Sequence, residues 1–262
     1  MPLWFNRAVD NPPAYVAPPD LLKHRVILVT GASAGIGREA ARACASHGAT
    51  VILHGRDTGR LEAVYDEIEA AGGPQAMILP LDLAAATDRD FDNVAQAIRA
   101  QVERLDGILH NAAHSIPLGA LQHECLDDWL RLLRVNVAAV FALTRACTAL
   151  LREAPDASVV LTGETHGLRP AAYWGGFAVS KSALTTYNTI QAQEWEPCAN
   201  LRINLVVPGE VDSPHRGRTH PGEARRARAA PESLMPLYLY LLGPDSAGVS
   251  GKVFEADGAR PA

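Results

Sequence analysis

Residues 25–37 read RVILVTGASAGIG. The first six form a short run of apolar and β-branched side chains, the composition of a buried strand, and a glycine-rich turn follows at once. Beyond it, residues 36–47 carry apolar side chains at helical spacing, with Gly48 as the stop. Strand, tight turn and helix in this order open a nucleotide-binding βαβ unit. Glycines let the backbone turn sharply and approach a ligand, and the free N–H groups of the first helical turn can receive a pyrophosphate. Gly31, Ser33, Gly35, Ile36 and Gly37 are the candidate phosphate cradle. A ligand-free glycine turn is the competing reading, and its place between strand and helix argues against it.

The same alternation continues outward. Apolar runs at 50–53, 76–79, 107–109, 158–161, 201–206 and 252–255 predict six further strands. Amphipathic stretches around 61–71, 91–104, 176–194 and 234–242 predict helices between them, and 126–151 predicts one bent helix or two abutting ones. Seven strands separated by helices imply a parallel sheet covered on both faces, a single-domain, Rossmann-like, doubly wound α/β fold over residues 25–262. Residues 1–24, rich in proline, predict an extended N-terminal arm laid over the surface.

The chain has 262 residues, 48% apolar and 20% charged, with 24 basic against 29 acidic side chains, which excludes a disordered chain. A net charge of −5 offers nothing to a phosphate backbone, so nucleic acid is not expected as a partner. No run of 18 apolar residues occurs, so no ordinary transmembrane helix is expected, and the N-terminus lacks the basic start and apolar core of a secretory signal. Cys44, Cys125, Cys147 and Cys198 show no metal spacing and predict buried small apolar residues in a reducing compartment, with the cytoplasm the expected location and no metal site.

The second strand ends in His54-Gly55-Arg56-Asp57. An acidic residue there would bind the ribose hydroxyls of NAD, but Gly55 stands in that place. Arg56, with Arg38 beyond the glycine turn, could pair a 2′-phosphate, which favours NADP(H) over NAD(H). Alternatively Arg56 is a solvated residue and Asp57 a helix cap.

With these residues, Asp82-Leu83 after the third strand, Asn111-Ala112-Ala113 after the fourth, Asn136, Lys181 and Pro208-Gly209 after the sixth complete a set in order. The chain thereby resembles the short-chain dehydrogenase/reductase family over nearly its whole length. Residues 18–33 and 235–243 also resemble a bacterial branch of it described only as oxidoreductases. The resemblance implies that Asp82 and Leu83 flank the adenine and that Asn111 supports the cofactor side of the fourth strand. Asn136 would hold a water of the proton relay, Lys181 would reach the nicotinamide ribose, and Pro208, Gly209 and Ser213 would lie by the nicotinamide. Ala113 replaces a glycine and adds one tolerable methyl. A homodimer or homotetramer paired through the helices carrying Asn136 and Lys181 is implied as well, with a small-molecule substrate and no membrane partner.

The pattern breaks at the chemistry. The family places a tyrosine four residues before the lysine as proton donor, and a serine thirteen residues before the tyrosine to orient the substrate oxygen. Phe177 and Glu164 occupy those places. General acid–base catalysis contributes about 10²–10⁴-fold, roughly 3–5 kcal/mol, and phenylalanine supplies none of it. An ionised Glu164 would repel a developing alkoxide. Glu164 could instead pair with Lys181, an attraction of about 4 kcal/mol at 4 Å and an effective dielectric of 20 before desolvation. Tyr173 or His166 could stand in as donors, or be a packing residue and a plain surface residue. Residues 215–228, HRGRTHPGEARRAR, replace the family's mobile substrate loop and set five arginines against Glu223, so they either attract an anionic ligand or form a solvated segment. The expected function is an NADP(H)-binding homologue whose ordinary hydride-transfer catalysis is impaired, a nucleotide-dependent sensor or scaffold. The alternatives are an oxidoreductase relying on Glu164, Lys181 or Tyr173, and a structural module without nucleotide.

Overall fold

The computed structural model describes residues 15–223 and 228–256. Strand β1 (Val26–Thr30) leads into α1 (Gly35–Ser46), β2 (Thr50–Gly55), α2 (Thr58–Ala70), β3 (Met77–Pro80), α3 (Asp88–Val102) and β4 (Gly107–His110). The chain continues through α4 (Leu126–Leu133), α5 (Ala139–Glu153), β5 (Ala157–Thr162), α6 (Thr165–Leu168) and α7 (Gly175–Glu194). It ends with β6 (Leu201–Val207), α8 (Pro214–Thr219), α9 (Met235–Leu242) and β7 (Val253–Glu255). The sheet order is β3-β2-β1-β4-β5-β6-β7, and every pairing is parallel. Strand order reverses between β1 and β4, which opens a crevice at their carboxyl ends.

Side chains alternate across each strand, so both faces need cover. In β1, Ile27 and Val29 join a core with Ala41 of α1, Leu61 of α2 and Leu241 of α9. Val26 and Leu28 join the opposite core with Ile98 of α3, Leu150 of α5 and Leu184 of α7. Strands β1, β2, β5 and β6 are buried almost throughout because helices shield both sides, whereas the edge strand β3 is half-buried.

One expectation is made specific and two change. The stretch from Leu126 to Glu153 is one helix of 28 residues, α4 and α5 being joined by a π-helical turn over Arg134–Ala138. By length and a mean hydropathy of 1.4 it could cross a bilayer, although no uninterrupted apolar run signals this. Half of that window is buried, and the helix packs on α3 and α7. Of the predicted arm, residues 1–14 lie outside the described residues. The rest is anchored: Leu22 is fully buried in the core, and the Tyr15 hydroxyl donates to Asp245 Oδ2 at 2.8 Å. Of the cysteines, Cys44 and Cys147 are buried and Cys198 half-buried, but Cys125 is exposed, because it precedes α4 on the outer surface.

Candidate functional site

The carboxyl ends of β1, β2, β4, β5 and β6 face one cleft. Its floor is tied by Thr30, whose Oγ1 accepts the N–H groups of Asn111 and Ala112, each at 3.0 Å. Gly31 (φ 67°) and Gly35 (φ 55°) are left-handed, a conformation that costs other residues energy. A Cβ on Gly37 would lie 2.2 Å from the Gly31 carbonyl oxygen, so only glycine lets α1 start this close to β1. α1 starts after Ala34 with no side-chain cap and no acidic residue in its first turn. Its free N–H groups and the positive end of its dipole are left for an anion. Ser33 and Ile36 line the cleft here, and the Asn111 amide donates to the Gly31 carbonyl at 3.4 Å.

At the outer rim, Gly55 closes β2, and Arg56 is exposed, lines the cleft and makes no ion pair among the described residues. Asp57 caps α2 by accepting the Arg60 N–H at 3.2 Å. The pairing of Arg38 with a 2′-phosphate is corrected: Arg38 is held by Glu39 and Glu67 and does not line the cleft, because its position on α1 turns it toward α2. Arg60 lines it instead, one helical turn after Arg56 and without a sequence motif of its own. Asp82 Oδ1 accepts the Ala84 N–H at 3.0 Å, and Asp82 and the buried Leu83 both line the cleft. His54 is buried with both ring nitrogens unpartnered among the described residues, and burial lowers its pKa to about 4, so the ring is neutral. An uncapped helix start, left-handed glycines, an unpaired rim arginine and an orphaned buried ring together fit a phosphorylated dinucleotide.

At the other end, Asn136 lies buried in the π-helical turn. It donates to the His114 carbonyl at 3.0 Å and to Ser180 Oγ at 2.9 Å, and accepts the His114 N–H at 2.8 Å, bracing the strand-end loop against α7. Lys181 is buried, and its Nζ donates to the Thr162 carbonyl at 2.8 Å and lies 5.9 Å from the Phe177 ring centroid. Burial lowers its pKa to about 8, against the raising effect of the Glu164 charge. The Glu164–Lys181 ion pair does not form. Glu164 caps α6 by accepting the Thr165 N–H at 3.0 Å and lies 3.6 Å from His166 Nδ1. A carboxylate satisfying a helix start is held there by the backbone, and Lys181 takes a carbonyl instead. Phe177 is 2% exposed and lines the cleft beside Glu164.

Neither stand-in donor reaches the site. Tyr173 is 65% exposed, with φ 72°, and does not line the cleft. His166 stacks on Trp174 at 3.8 Å, so it is neither a plain surface residue nor a cleft residue. Pro208, Gly209 and Ser213 line the cleft, and Ser213 caps α8 by accepting the Arg216 N–H at 3.1 Å. Two arginines of the basic segment are held in ion pairs. Arg216 and Arg228 both bind Glu223, whose pKa falls to about 2, mainly through its hydrogen bonds to Arg216. Arg225 and Arg226 lie outside the described residues, and Arg218 remains at the cleft. His215, absent from the sequence candidates, packs its ring 4.9 Å from that of Phe177.

The model of the family described as short chain dehydrogenase matches residues 25–224. Uncharacterized oxidoreductase YciK of Escherichia coli (strain K12) is 39% identical over 241 residues, 92% of this chain and 95% of its own. Among solved structures, a Shigella flexneri short chain dehydrogenase complexed with NADP is 38% identical, covers 91% of this chain and 99% of its own, and superposes with a TM-score of 0.88. One from Escherichia coli CFT073, complexed with NADPH, is 39% identical, covers 92% and 99%, and has a TM-score of 0.89.

Proposed function

The chain belongs to the short chain dehydrogenase family of oxidoreductases, and on that premise we propose that it binds NADP(H) while lacking the family's Ser/Tyr-dependent carbonyl and alcohol chemistry, acting as a nucleotide-dependent sensor or scaffold. The observation that carries this is Phe177, buried against the cleft beside Lys181 where a proton donor is needed. The nucleotide, when bound, can supply or accept a hydride. Gly31, Ser33, Gly35, Ile36 and Gly37 would receive its pyrophosphate, Arg56 its 2′-phosphate, and Asp82 and Leu83 its adenine. Asn111 would support the strand end, Lys181 would reach the ribose, and Pro208, Gly209 and Ser213 would border the nicotinamide. Two relatives solved with NADP and NADPH support the choice of nucleotide.

Two of the candidate substitutes are poorly placed to give a proton to a substrate oxygen. Tyr173 faces solvent, and Glu164 is committed to the cap of α6. A cytoplasmic location and a homodimer or homotetramer belong to the same proposal. Leu130, Phe141, Val179 and Ile190, exposed apolar side chains on α4, α5 and α7, support an assembly through those helices.

The test is a titration of purified protein with NADPH and NADH, followed by nicotinamide fluorescence, with an assay of aldehyde and ketone reduction. The expected outcome is micromolar NADPH binding, weaker NADH binding and no turnover. Failure of both nucleotides to bind would overturn the binding proposal, and turnover at ordinary enzyme rates would overturn the loss of catalysis.

A further inference from the structure

We infer that the end of the cleft lined by Trp174, Phe177 and His215 binds a planar, conjugated ligand through an acceptor oxygen, a carboxylate or a carbonyl, and that the His215 imidazole N–H holds that oxygen. The inference rests on the proposed reading of this cleft as a ligand site.

Three observations converge. The first is shape. Trp174, Phe177 and His215 all line this end, with the Phe177 ring 4.9 Å from that of His215 and 6.2 Å from that of Trp174. Flat aromatic walls favour a flat, polarisable ligand through stacked and edge-on contacts. The second is an unmet polar atom: His215 Nε2 is buried and has no hydrogen-bond partner among the described residues. A buried donor or acceptor without a partner is unfavourable and rare in folded proteins, and a ligand oxygen within reach would relieve it. The third is charge. Burial, followed by the charges of Lys181, Arg218, His220 and Arg216, lowers the His215 pKa to about 4, so the ring is neutral at pH 7 and, in the tautomer protonated at Nε2, has its N–H to donate. Lys181 and Arg218 line the same cleft as the Glu164 carboxylate, and these two cations against one anion favour an electron-rich oxygen over a cationic group. An oxygen conjugated to a ring meets all three conditions at once. This hydrogen bond would take the place of the one a tyrosine hydroxyl would make, with no bond made or broken.

The experiment uses the full chain, with and without saturating NADP, and isothermal titration calorimetry of benzoate, cyclohexanecarboxylate and benzylammonium. Benzoate should bind, cyclohexanecarboxylate more weakly, and benzylammonium not at all. His215→Phe, which keeps a ring against Phe177 and removes the N–H, should weaken benzoate about tenfold, and His215→Gln should restore part of the loss. In the wild-type protein, nitrogen NMR should show the Nε2 resonance of His215 shifting as benzoate is added, a readout independent of any variant's folding. Equal benzoate affinity in the wild type and His215→Phe, an unmoved Nε2 resonance, or preference for benzylammonium would overturn the inference. No benzoate binding by a protein that binds NADPH would also overturn it and leave the nucleotide proposal standing. Benzoate binding that depends on His215 in a protein that binds no NADPH would do the reverse.

Discussion

At the nucleotide end of the cleft, the decisive contacts are between backbone atoms a few residues apart, such as the approach of Gly37 to the Gly31 carbonyl. At the other end, they are between side chains brought from three places: Glu164 after β5, Phe177 and Lys181 on α7, and His215 on α8. The first end tolerates almost no change, because its atoms are already at contact distance. The second is lined by aromatic rings beside a buried lysine. A site held by backbone geometry resists change, and one assembled from side chains can lose its chemistry without loss of the fold.

The largest test of this contrast restores the missing groups. Phe177→Tyr combined with Glu164→Ser should raise NADPH-dependent reduction of 4-nitrobenzaldehyde by about 10²–10⁴-fold, measured by loss of nicotinamide absorbance. No increase would show that the aromatic-lined end differs in more than its proton donor. At the rigid end, Gly37→Ala should cut NADPH affinity about 100-fold in a fluorescence titration and cost roughly 1–3 kcal/mol in urea unfolding, because the new methyl meets backbone. An unchanged affinity would mean that the turn does not hold the pyrophosphate.

Lys181 sharpens the comparison through pH. Its pKa is about 8 in the native state against 10.5 unfolded, so burying its charge costs stability below pH 8. Between about pH 8 and 10.5 the unfolded chain binds the extra proton, and stability rises with pH through that window. Lys181→Met should therefore stabilise the protein by about 1–3 kcal/mol at pH 7, less the lost bond to Thr162, with the gain fading toward pH 10.5. Urea midpoints at the two pH values check the sign, and destabilisation at pH 7 would show that the hydrogen bond outweighs the burial of charge. The smallest effect is expected at the rim. Arg56→Ala should weaken NADPH about tenfold and leave NADH unchanged, since an exposed guanidinium contributes one charge-assisted contact. Equal effects on both nucleotides would remove Arg56 from the 2′-phosphate.

Much of this was legible in the residues themselves. The run 25–37, the alternation of apolar segments and the identities of Phe177 and Glu164 all stand in local order, and strands, glycine turns and helices follow from neighbours. The capping role of Asp57 was also foreseen as an alternative, because a cap acts within its own helical turn. What misled was distance. Arg38 and Arg56 looked equivalent, but Arg38 answers to Glu67, 29 positions away on another helix. Glu164 and Lys181 looked like partners, but each had a nearer backbone group to satisfy.

The sequence by itself determined the doubly wound sheet, the place of the glycine turn between β1 and α1, and the identity of Phe177 four residues before Lys181, since these depend on periodicity, glycine and residue identity. Only the tertiary structure decided that Arg60 joins Arg56 at the rim, that Glu164 caps a helix, and that His215 lies on Phe177. Those outcomes depend on where each side chain turns once its helix or loop is packed, which residue identity alone does not fix.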